Sequence, residues 1–190
     1  MASLNDILDF CENRIHANQI ADFPGAENGL QVENNGSVKK IGAAVDAGLV
    51  PFQKAVEAGV DFLIVHHGLF WDPAYPIMGI RYEKYKLCIE NNLAVYGAHL
   101  PLDCHQEIGN NAILAEKLGL KQSEWFLEHE GNPIGLIAEG GIARADLRSR
   151  LNGLFPEGIT SIEKGSEQPQ KLAVLTGSGA SAVGELKAAG

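Results

Sequence analysis

Apolar positions along the first two-thirds of the chain alternate between helical and strand patterns. A first helix is predicted after Ser3, a candidate N-cap with Asp6 three residues later, because an apolar stripe with helical spacing follows. Three short apolar runs are typical of buried parallel strands: 41–45, 62–65 and 93–96. Segments with helical signals follow these runs: 51–58, 81–91 and 110–118. This order predicts an α/β fold with a mainly parallel sheet and right-handed crossovers.

The last third of the chain has a weaker pattern of the same kind. Strands are predicted at 134–138, 159–162 and 172–175, with a helix at 145–151. We therefore expect two related α/β lobes with mainly parallel sheets, residues 1–125 and residues 126–190. The sequence ends at Gly190, where the next strand of such a unit would begin, so the second lobe is expected to be incomplete.

Composition and charge exclude several classes of protein. Hydrophobic residues make up 45% and charged residues 21% of the chain, which is typical of a globular protein. A net charge of -9 argues against a broad nucleic-acid-binding surface. The longest apolar runs fall far short of the ~20 residues of a membrane helix, and the N-terminus lacks signal-peptide regions. Three cysteines without a CxxC motif fit a reducing environment, so a cytoplasmic location is expected.

Four of the six histidines lie between positions 66 and 105, and three of them follow predicted strands. His66 and His67 end one strand, and His99 ends the next, with Asp103 four residues later. Because ligands bind beyond the carboxyl ends of parallel strands, these side chains are expected to converge. Imidazole and carboxylate ligands suit zinc, iron, manganese or nickel. The alternative is that one histidine packs in the core and the others bond to backbone carbonyls.

The adjacent histidines constrain how metal would bind. Successive side chains of a strand point to opposite faces, so His66 and His67 cannot easily hold one ion unless the chain bends at Gly68. Two ions that share a carboxylate bridge would use both imidazoles without that bend. Asp103 is the candidate bridge.

Three segments of the chain carry a family resemblance: ADFPGAENGLQVE at 21–33, VHHGLFWDP at 65–73 and YGAHLPLDCHQEIGNNAILAEKLGL at 96–120. They resemble the hexameric dinuclear-metal-centre proteins, also called GTP cyclohydrolase 1 type 2 homologues or the NGG-interacting-factor-three-like family. The resemblance implies that His66 and His67 ligate two metal ions, that Asp103 bridges these ions, and that His99 lies in or beside the site. It also implies paired α/β lobes in a toroidal homohexamer, a trimer of dimers.

The chain departs from the family pattern near its end. The resemblance implies two further metal ligands, a histidine and a glutamate of a GHxxTE-like motif, and nothing after Thr176 matches that motif. The sequence therefore reads as truncated, with three of the five implied ligands. We expect it to hold at most one ion per chain, whereas the full-length family holds two.

The function implied by the resemblance is that of a metal-dependent hydrolase. Bound ions lower the pKa of a water molecule, and His99 is the candidate for proton transfer because the ordinary pKa of histidine is about 6.5. The family name implies GTP as the substrate, with hydrolytic opening of the guanine imidazole ring and release of formate. Two alternatives stay open: a non-catalytic metal-binding hexamer that regulates or binds a partner, and a two-metal phosphoesterase.

Several further positions have two interpretations each. Asp46 ends the strand at 41–45 and could reach the histidines or cap the next helix. Trp71 could wall a pocket or stack on a purine, or it could pack in the core or at a subunit interface. Residues 28–31 either line the site or form a turn into a strand. Residues 176–179 form either a tight turn or an anion site.

Overall fold

The chain folds as an α/β protein in a computed structural model that describes residues 1–71, 73, 75–177 and 179–188. Its helices are α1 (Leu4–Ile15), α2 (Leu49–Glu57), α3 (Ile80–Glu90), α4 (Leu100–Asp103), α5 (Asn110–Lys117), α6 (Arg144–Leu154) and α7 (Val183–Ala188), the last preceded by a 3-10 turn. Its strands are β1 (Ala2–Ser3), β2 (Gly29–Val32), β3 (Ser37–Val38), β4 (Ile41–Asp46), β5 (Phe62–His67), β6 (Ala94–Gly97), β7 (Gln122–His129), β8 (Asn132–Glu139) and β9 (Lys171–Val174). Two compact units result, Met1–Leu102 and Asp103–Gly190.

The first unit is built on a four-stranded sheet with the order β2-β6-β5-β4. Strands β4, β5 and β6 are parallel, as predicted, and β2 runs antiparallel to β6. Leu63 and Val65 of β5 pack with Phe52 of α2, whereas Phe62 packs with Leu4 of α1. Both faces of β5 are therefore covered, which explains why this strand is a continuous apolar run.

Local signals predicted the elements of the first unit closely. Ser3 caps α1, and its hydroxyl oxygen accepts the Asp6 amide N–H at 3.1 Å. Helix α2 begins at Leu49, two residues before the predicted start at Pro51, with Gly48 as the N-cap. Strand β5 extends beyond its apolar run and includes both histidines at its end. None of the helices in the described ranges is long and apolar enough to cross a bilayer.

The sheet of the second unit differs from the prediction. It has three strands in the order β7-β8-β9, and both pairings are antiparallel rather than parallel. The sequence analysis missed β7, which forms a hairpin with β8 through Glu130 and Gly131, both at positive φ. A connection this short joins only antiparallel strands. No strand forms at 159–162, where Ile162 is 82% exposed.

Helix α5 belongs to the second unit by its contacts. It packs against β8 and β9, which are strands of the second unit. The second unit therefore begins before this helix, at Asp103. The boundary predicted from the sequence lies after residue 125 instead. The position of α5 explains this difference, since its helical pattern alone does not indicate which sheet it covers.

Asn111 is a buried polar side chain at the centre of the second unit, and its loss is expected to destabilise the fold. Its Nδ2 donates to the Ile134 carbonyl at 2.8 Å, and its Oδ1 accepts the Thr176 amide N–H at 2.7 Å. Asn111→Ala leaves both backbone groups without this partner, so we expect the free energy of unfolding to fall by about 2 kcal/mol. Urea denaturation measures this change. The control Asn152→Ala, at an exposed position, should stay within about 0.5 kcal/mol. Equal midpoints for the two variants would contradict the prediction.

Candidate metal centre

Three histidines converge at one edge of the first sheet. Strand β5 ends with His66 and His67, and His99 lies two residues beyond β6. Because β5 and β6 are parallel, their carboxyl ends meet at the same edge. Each histidine offers one ring nitrogen, and these three nitrogens lie within 4.8 Å of one another. The structure thus brings together the three histidines that the sequence analysis selected.

His66 and His67 are close together although they are successive residues of a strand. Their ring centroids lie 4.7 Å apart, and those of His66 and His99 lie 5.0 Å apart. The two neighbours bond in different directions, His66 to the residue after β6 and His67 to the end of β4. Strand alternation therefore does not separate the two imidazoles, and it does not by itself require two ions.

The hydrogen bonds of the rings fix the tautomer of each neutral imidazole. Each ring uses Nδ1 to contact an oxygen: His66 to the Ala98 carbonyl at 2.9 Å, His67 to Asp46 Oδ1 at 2.6 Å and His99 to Asp22 Oδ1 at 2.8 Å. Carbonyl and carboxylate oxygens only accept, so in each neutral ring Nδ1 carries the proton. In this tautomer Nε2 carries the lone pair of each ring. Metal-binding histidines are oriented in this way, so the donor set fits a divalent ion.

Asp46 contacts the histidines rather than the next helix. Its carboxylate pairs with His67, and the two side chains are 67% and 42% exposed. Register explains the contact, because Asp46 and His67 are paired residues of the parallel strands β4 and β5. The N-cap of α2 is Gly48, and no side chain caps that helix. Of the two interpretations of Asp46, the one that places it at the site is confirmed.

Asp22 orients His99, and the sequence analysis missed it. Its side chain is 4% exposed and accepts four N–H groups: His99 Nδ1 at 2.8 Å, Asn28 Nδ2 at 2.8 Å, the Leu100 amide at 3.0 Å and the Phe23 amide at 2.7 Å. Burial raises the pKa of Asp22, but these hydrogen bonds outweigh burial and hold the pKa below its ordinary value. Asp22 is therefore a carboxylate at neutral pH. It lies in the segment 21–33 that resembles the family, which was the available signal.

Residues 28–31 hold the backbone behind the histidines. Asn28 Oδ1 accepts the His99 amide N–H at 2.8 Å, and Gln31 Oε1 accepts the Leu69 amide N–H at 2.6 Å. A Cβ atom at Gly68 would collide with the Gln31 side chain. A side chain at position 68 would therefore displace the Gln31 amide group and disturb its hydrogen bonds to Glu27 and Leu69. This segment lines the site, in addition to leading into β2.

Asp103 and His105 belong to the second compact unit. Asp103 Oδ1 accepts Asn110 Nδ2 at 2.8 Å, and His105 Nδ1 accepts the Glu107 amide N–H at 3.1 Å. The three-histidine group found in the described part of the chain does not include either residue. The bridging role of Asp103 stays a prediction.

Trp71 stands beside the histidine group. Its ring centroid lies 5.0 Å from that of His99 and 6.2 Å from that of His67, and the side chain is 37% exposed. Its indole N–H donates to the Gly68 carbonyl at 3.1 Å. The interpretation of Trp71 as a wall of the site therefore fits the structure better than packing in the core. Asp72, in the segment 65–73, and Ser178, in the segment 176–179, lie outside the described residues.

Comparison with known proteins finds one matching family model and relatives that share one name. The model of the Duf34/NIF3 family (NGG1p interacting factor 3) matches residues 2–190. A GTP cyclohydrolase 1 type 2 homolog of Archaeoglobus fulgidus is 36% identical over 190 residues, which cover 99% of this chain and 75% of that protein. A protein of the same name from Deinococcus radiodurans is 38% identical over 167 residues, covering 86% of this chain and 63% of that protein.

A solved structure shares the fold at similar coverage. The protein ybgI, described as of unknown function, superposes with a TM-score of 0.87 and 30% sequence identity. The match covers all of this chain and 75% of ybgI. The chain thus spans between 63% and 75% of the length of these three relatives.

Proposed function

The chain belongs to the Duf34/NIF3 (NGG1p interacting factor 3) family, and we propose that it binds divalent metal ions and acts as a metal-dependent hydrolase. One observation carries this proposal: three imidazoles, each with Nδ1 in contact with an oxygen, each offer one ring nitrogen, and these three nitrogens lie within 4.8 Å of one another. Isolated structural histidines do not need such convergence. Zinc, iron, manganese and nickel all accept imidazole ligands.

We assign His66, His67 and Asp103 to metal binding, and Asp103 would be the shared carboxylate if a second ion were bound. A divalent ion at this place would supply Lewis-acid chemistry and lower the pKa of a water molecule towards neutrality. The protein's own residues orient the ligands. Asp46 and the Ala98 carbonyl fix the rings of His67 and His66, which sets the tautomer that binds metal.

We assign proton transfer to His99. Asp22 holds the Nδ1–H of this imidazole, so a proton can enter and leave only at Nε2. An aspartate in this position orients the histidine in other hydrolytic enzymes and stabilises the imidazolium that forms. The pairing is well shielded, since the His99 side chain is 13% exposed. The same Nε2 could instead act as a third metal ligand, and the ion content of a His99→Ala variant separates the two roles.

GTP is the proposed substrate, because the relatives carry the name GTP cyclohydrolase 1 type 2 homolog. In the proposed reaction one water molecule opens the imidazole ring of guanine to a formamide, and a second water molecule cleaves the formamide, so that the ring carbon leaves as formate and an amine remains. A phosphoesterase would use the same residues on a phosphorus centre. A non-catalytic metal-binding protein that regulates or binds a partner is the alternative outcome of the test.

We further propose a homohexamer, a trimer of dimers, located in the cytoplasm and acting on a small molecule rather than on nucleic acid or a membrane. The net charge of -9 supports the absence of a nucleic-acid partner. Large apolar side chains are exposed between residues 75 and 89, which suits a subunit interface: Tyr75, Ile77, Met78, Ile80, Tyr82 and Ile89. Light scattering measures the assembly directly.

Metal content and turnover together test the proposed function. We expect elemental analysis of the 190-residue chain to find at most one ion per chain, because it has three of the five implied ligands. We expect metal-dependent release of formate from GTP, or of phosphate from a phosphoester. Asp103→Ala should lower kcat/KM by about 100-fold or more, since it removes a proposed ligand to the ions.

The matched control for this test is Asp146→Ala, which removes an exposed carboxylate from the first turn of α6. It should keep the turnover and the ion content of the parent chain. Two tightly held ions per chain would contradict the expected stoichiometry. Normal ion content without turnover of any of these substrates would contradict the hydrolase and favour the non-catalytic alternative.

A further inference from the structure

Trp71 presents a fixed aromatic surface next to the histidines. Its ring plane makes an angle of 82° with that of His99, at a centroid distance of 5.0 Å. The indole N–H is already used by the Gly68 carbonyl, in the turn that follows the histidine pair. The indole therefore offers a ligand its apolar ring rather than a hydrogen bond. Its 37% exposure leaves part of that ring in contact with solvent.

Phe23 is a second aromatic side chain beside the same histidine. Its ring centroid lies 6.0 Å from that of His99, and the side chain is 43% exposed. Its backbone N–H donates to Asp22, the carboxylate that orients His99. The carboxylate that orients the His99 imidazole thus also holds the backbone N–H of Phe23. Two partly exposed aromatic rings are held at one ring of the candidate metal centre.

This arrangement selects a kind of ligand. Half-exposed aromatic rings gain stability when a flat apolar surface covers them, and stacked or edge-to-face rings gain more than their buried area alone. The adjacent histidine nitrogens favour a ligand with a lone pair or a hydrolysable bond near that surface. A sugar or a phosphate alone satisfies the second requirement but not the first. A planar ring that contains nitrogen atoms satisfies both.

We infer that Trp71, with Phe23, forms a binding site for a planar nitrogen heteroaromatic ring, such as a purine base, and places that ring beside the three histidines. The inference rests on the proposed function, because it assigns the ring to the substrate of the metal centre. It makes Trp71 the residue that distinguishes a nucleotide base from a sugar phosphate. Base stacking on aromatic side chains tolerates different bases, so the site selects for a ring rather than for guanine.

Calorimetry with two probes, GMP and ribose 5-phosphate, tests this inference on the zinc-loaded and the metal-free chain. GMP carries the ring, and ribose 5-phosphate has the same sugar and phosphate without it. We expect Trp71→Ala to raise the Kd for GMP by about 10-fold or more and to leave the Kd for ribose 5-phosphate unchanged. Trp71→Phe keeps an aromatic face and should stay within about threefold. Phe10→Ala, which removes an aromatic side chain 68% exposed on α1, is the control for surface aromatics.

A purely structural role of Trp71 would change other readouts. The zinc content and Tm of Trp71→Ala should match those of the parent chain. If either falls, the fluorescence of Trp71 is measured instead, in a Trp125→Phe variant that has no other tryptophan. GMP should then quench this emission, and ribose 5-phosphate should not. Equal GMP affinity in the parent and Trp71→Ala, or absence of quenching, overturns the inference. Trp71-dependent GMP binding without turnover overturns only the hydrolase.

Discussion

Replacing His67 with alanine is expected to lower the affinity of the chain for zinc by about 100-fold or more. His67 offers one of the three nitrogens of the histidine group, and its Nδ1 is held by Asp46 at 2.6 Å. Residues that only orient a ligand already contribute 10–100-fold to metal affinity, so loss of a ligand should cost at least as much. Competition with a chromophoric chelator measures the change.

His16→Asn is the matched control for this experiment. His16 ends α1 in the left-handed region, at φ 52, and asparagine tolerates that conformation. His16 does not belong to the histidine group found in the described part of the chain, so its replacement should leave zinc affinity unchanged. Because a ligand stabilises the state that binds it, zinc should raise the Tm of His16→Asn but not that of His67→Ala. Equal affinities of both variants would remove His67 from the site.

The first unit could be predicted from the sequence because its signals are local. Parallel strands covered on both faces are continuous apolar runs, and Phe62–His67 shows this pattern up to the histidines. The position of the histidines then follows from a general rule, since the carboxyl ends of parallel strands share one edge. The convergence of His66, His67 and His99 needed no knowledge of any contact between distant residues.

The second sheet could not be predicted in the same way. The residues of β7 are exposed or half-buried, and several of them are polar. The strand therefore lacks the long apolar run that predicts a buried strand. The turn at Glu130–Gly131 is a weak signal, because its first position is glutamate rather than the asparagine, aspartate or glycine typical of two-residue hairpin turns. At 159–162 short apolar spacing predicted a strand, yet no neighbouring strand pairs with it. Strand pairing depends on partners far along the chain, which residue patterns do not contain.

The contacts that orient the histidines show the same limit. Asp46 could be placed at the site because it ends a strand beside the strand of His67. Asp22 lies in an irregular segment, 77 residues before His99, and no periodic pattern links the two. Only the folded chain brings this carboxylate to the imidazole. The residues that bind a ligand were therefore easier to predict than a residue that holds them in place.

Asp22→Asn is expected to weaken zinc binding by about 10- to 100-fold and also to destabilise the fold. The two oxygens of Asp22 each accept two N–H groups, and the side chain is 4% exposed. Asparagine replaces one oxygen with an NH₂ group, which then faces donors instead of accepting from them. Two of the four N–H groups lose their acceptor, and the free energy of unfolding should fall by about 3 kcal/mol. Calorimetric zinc titration and urea denaturation measure the two effects.

Asp46→Asn is the matched variant, because Asp46 also holds a histidine Nδ1 but is 67% exposed. It should weaken zinc binding by about 10-fold, since the orientation of His67 is less well fixed. Its stability should change by less than about 1 kcal/mol, because water replaces the lost contact at an exposed pair. The two carboxylates therefore differ because of their burial. The buried Asp22 affects both the metal centre and the stability of the fold, whereas the exposed Asp46 affects the metal centre alone. If Asp22→Asn unfolds at the same urea concentration as Asp46→Asn, the four hydrogen bonds of Asp22 do not stabilise the first unit as argued.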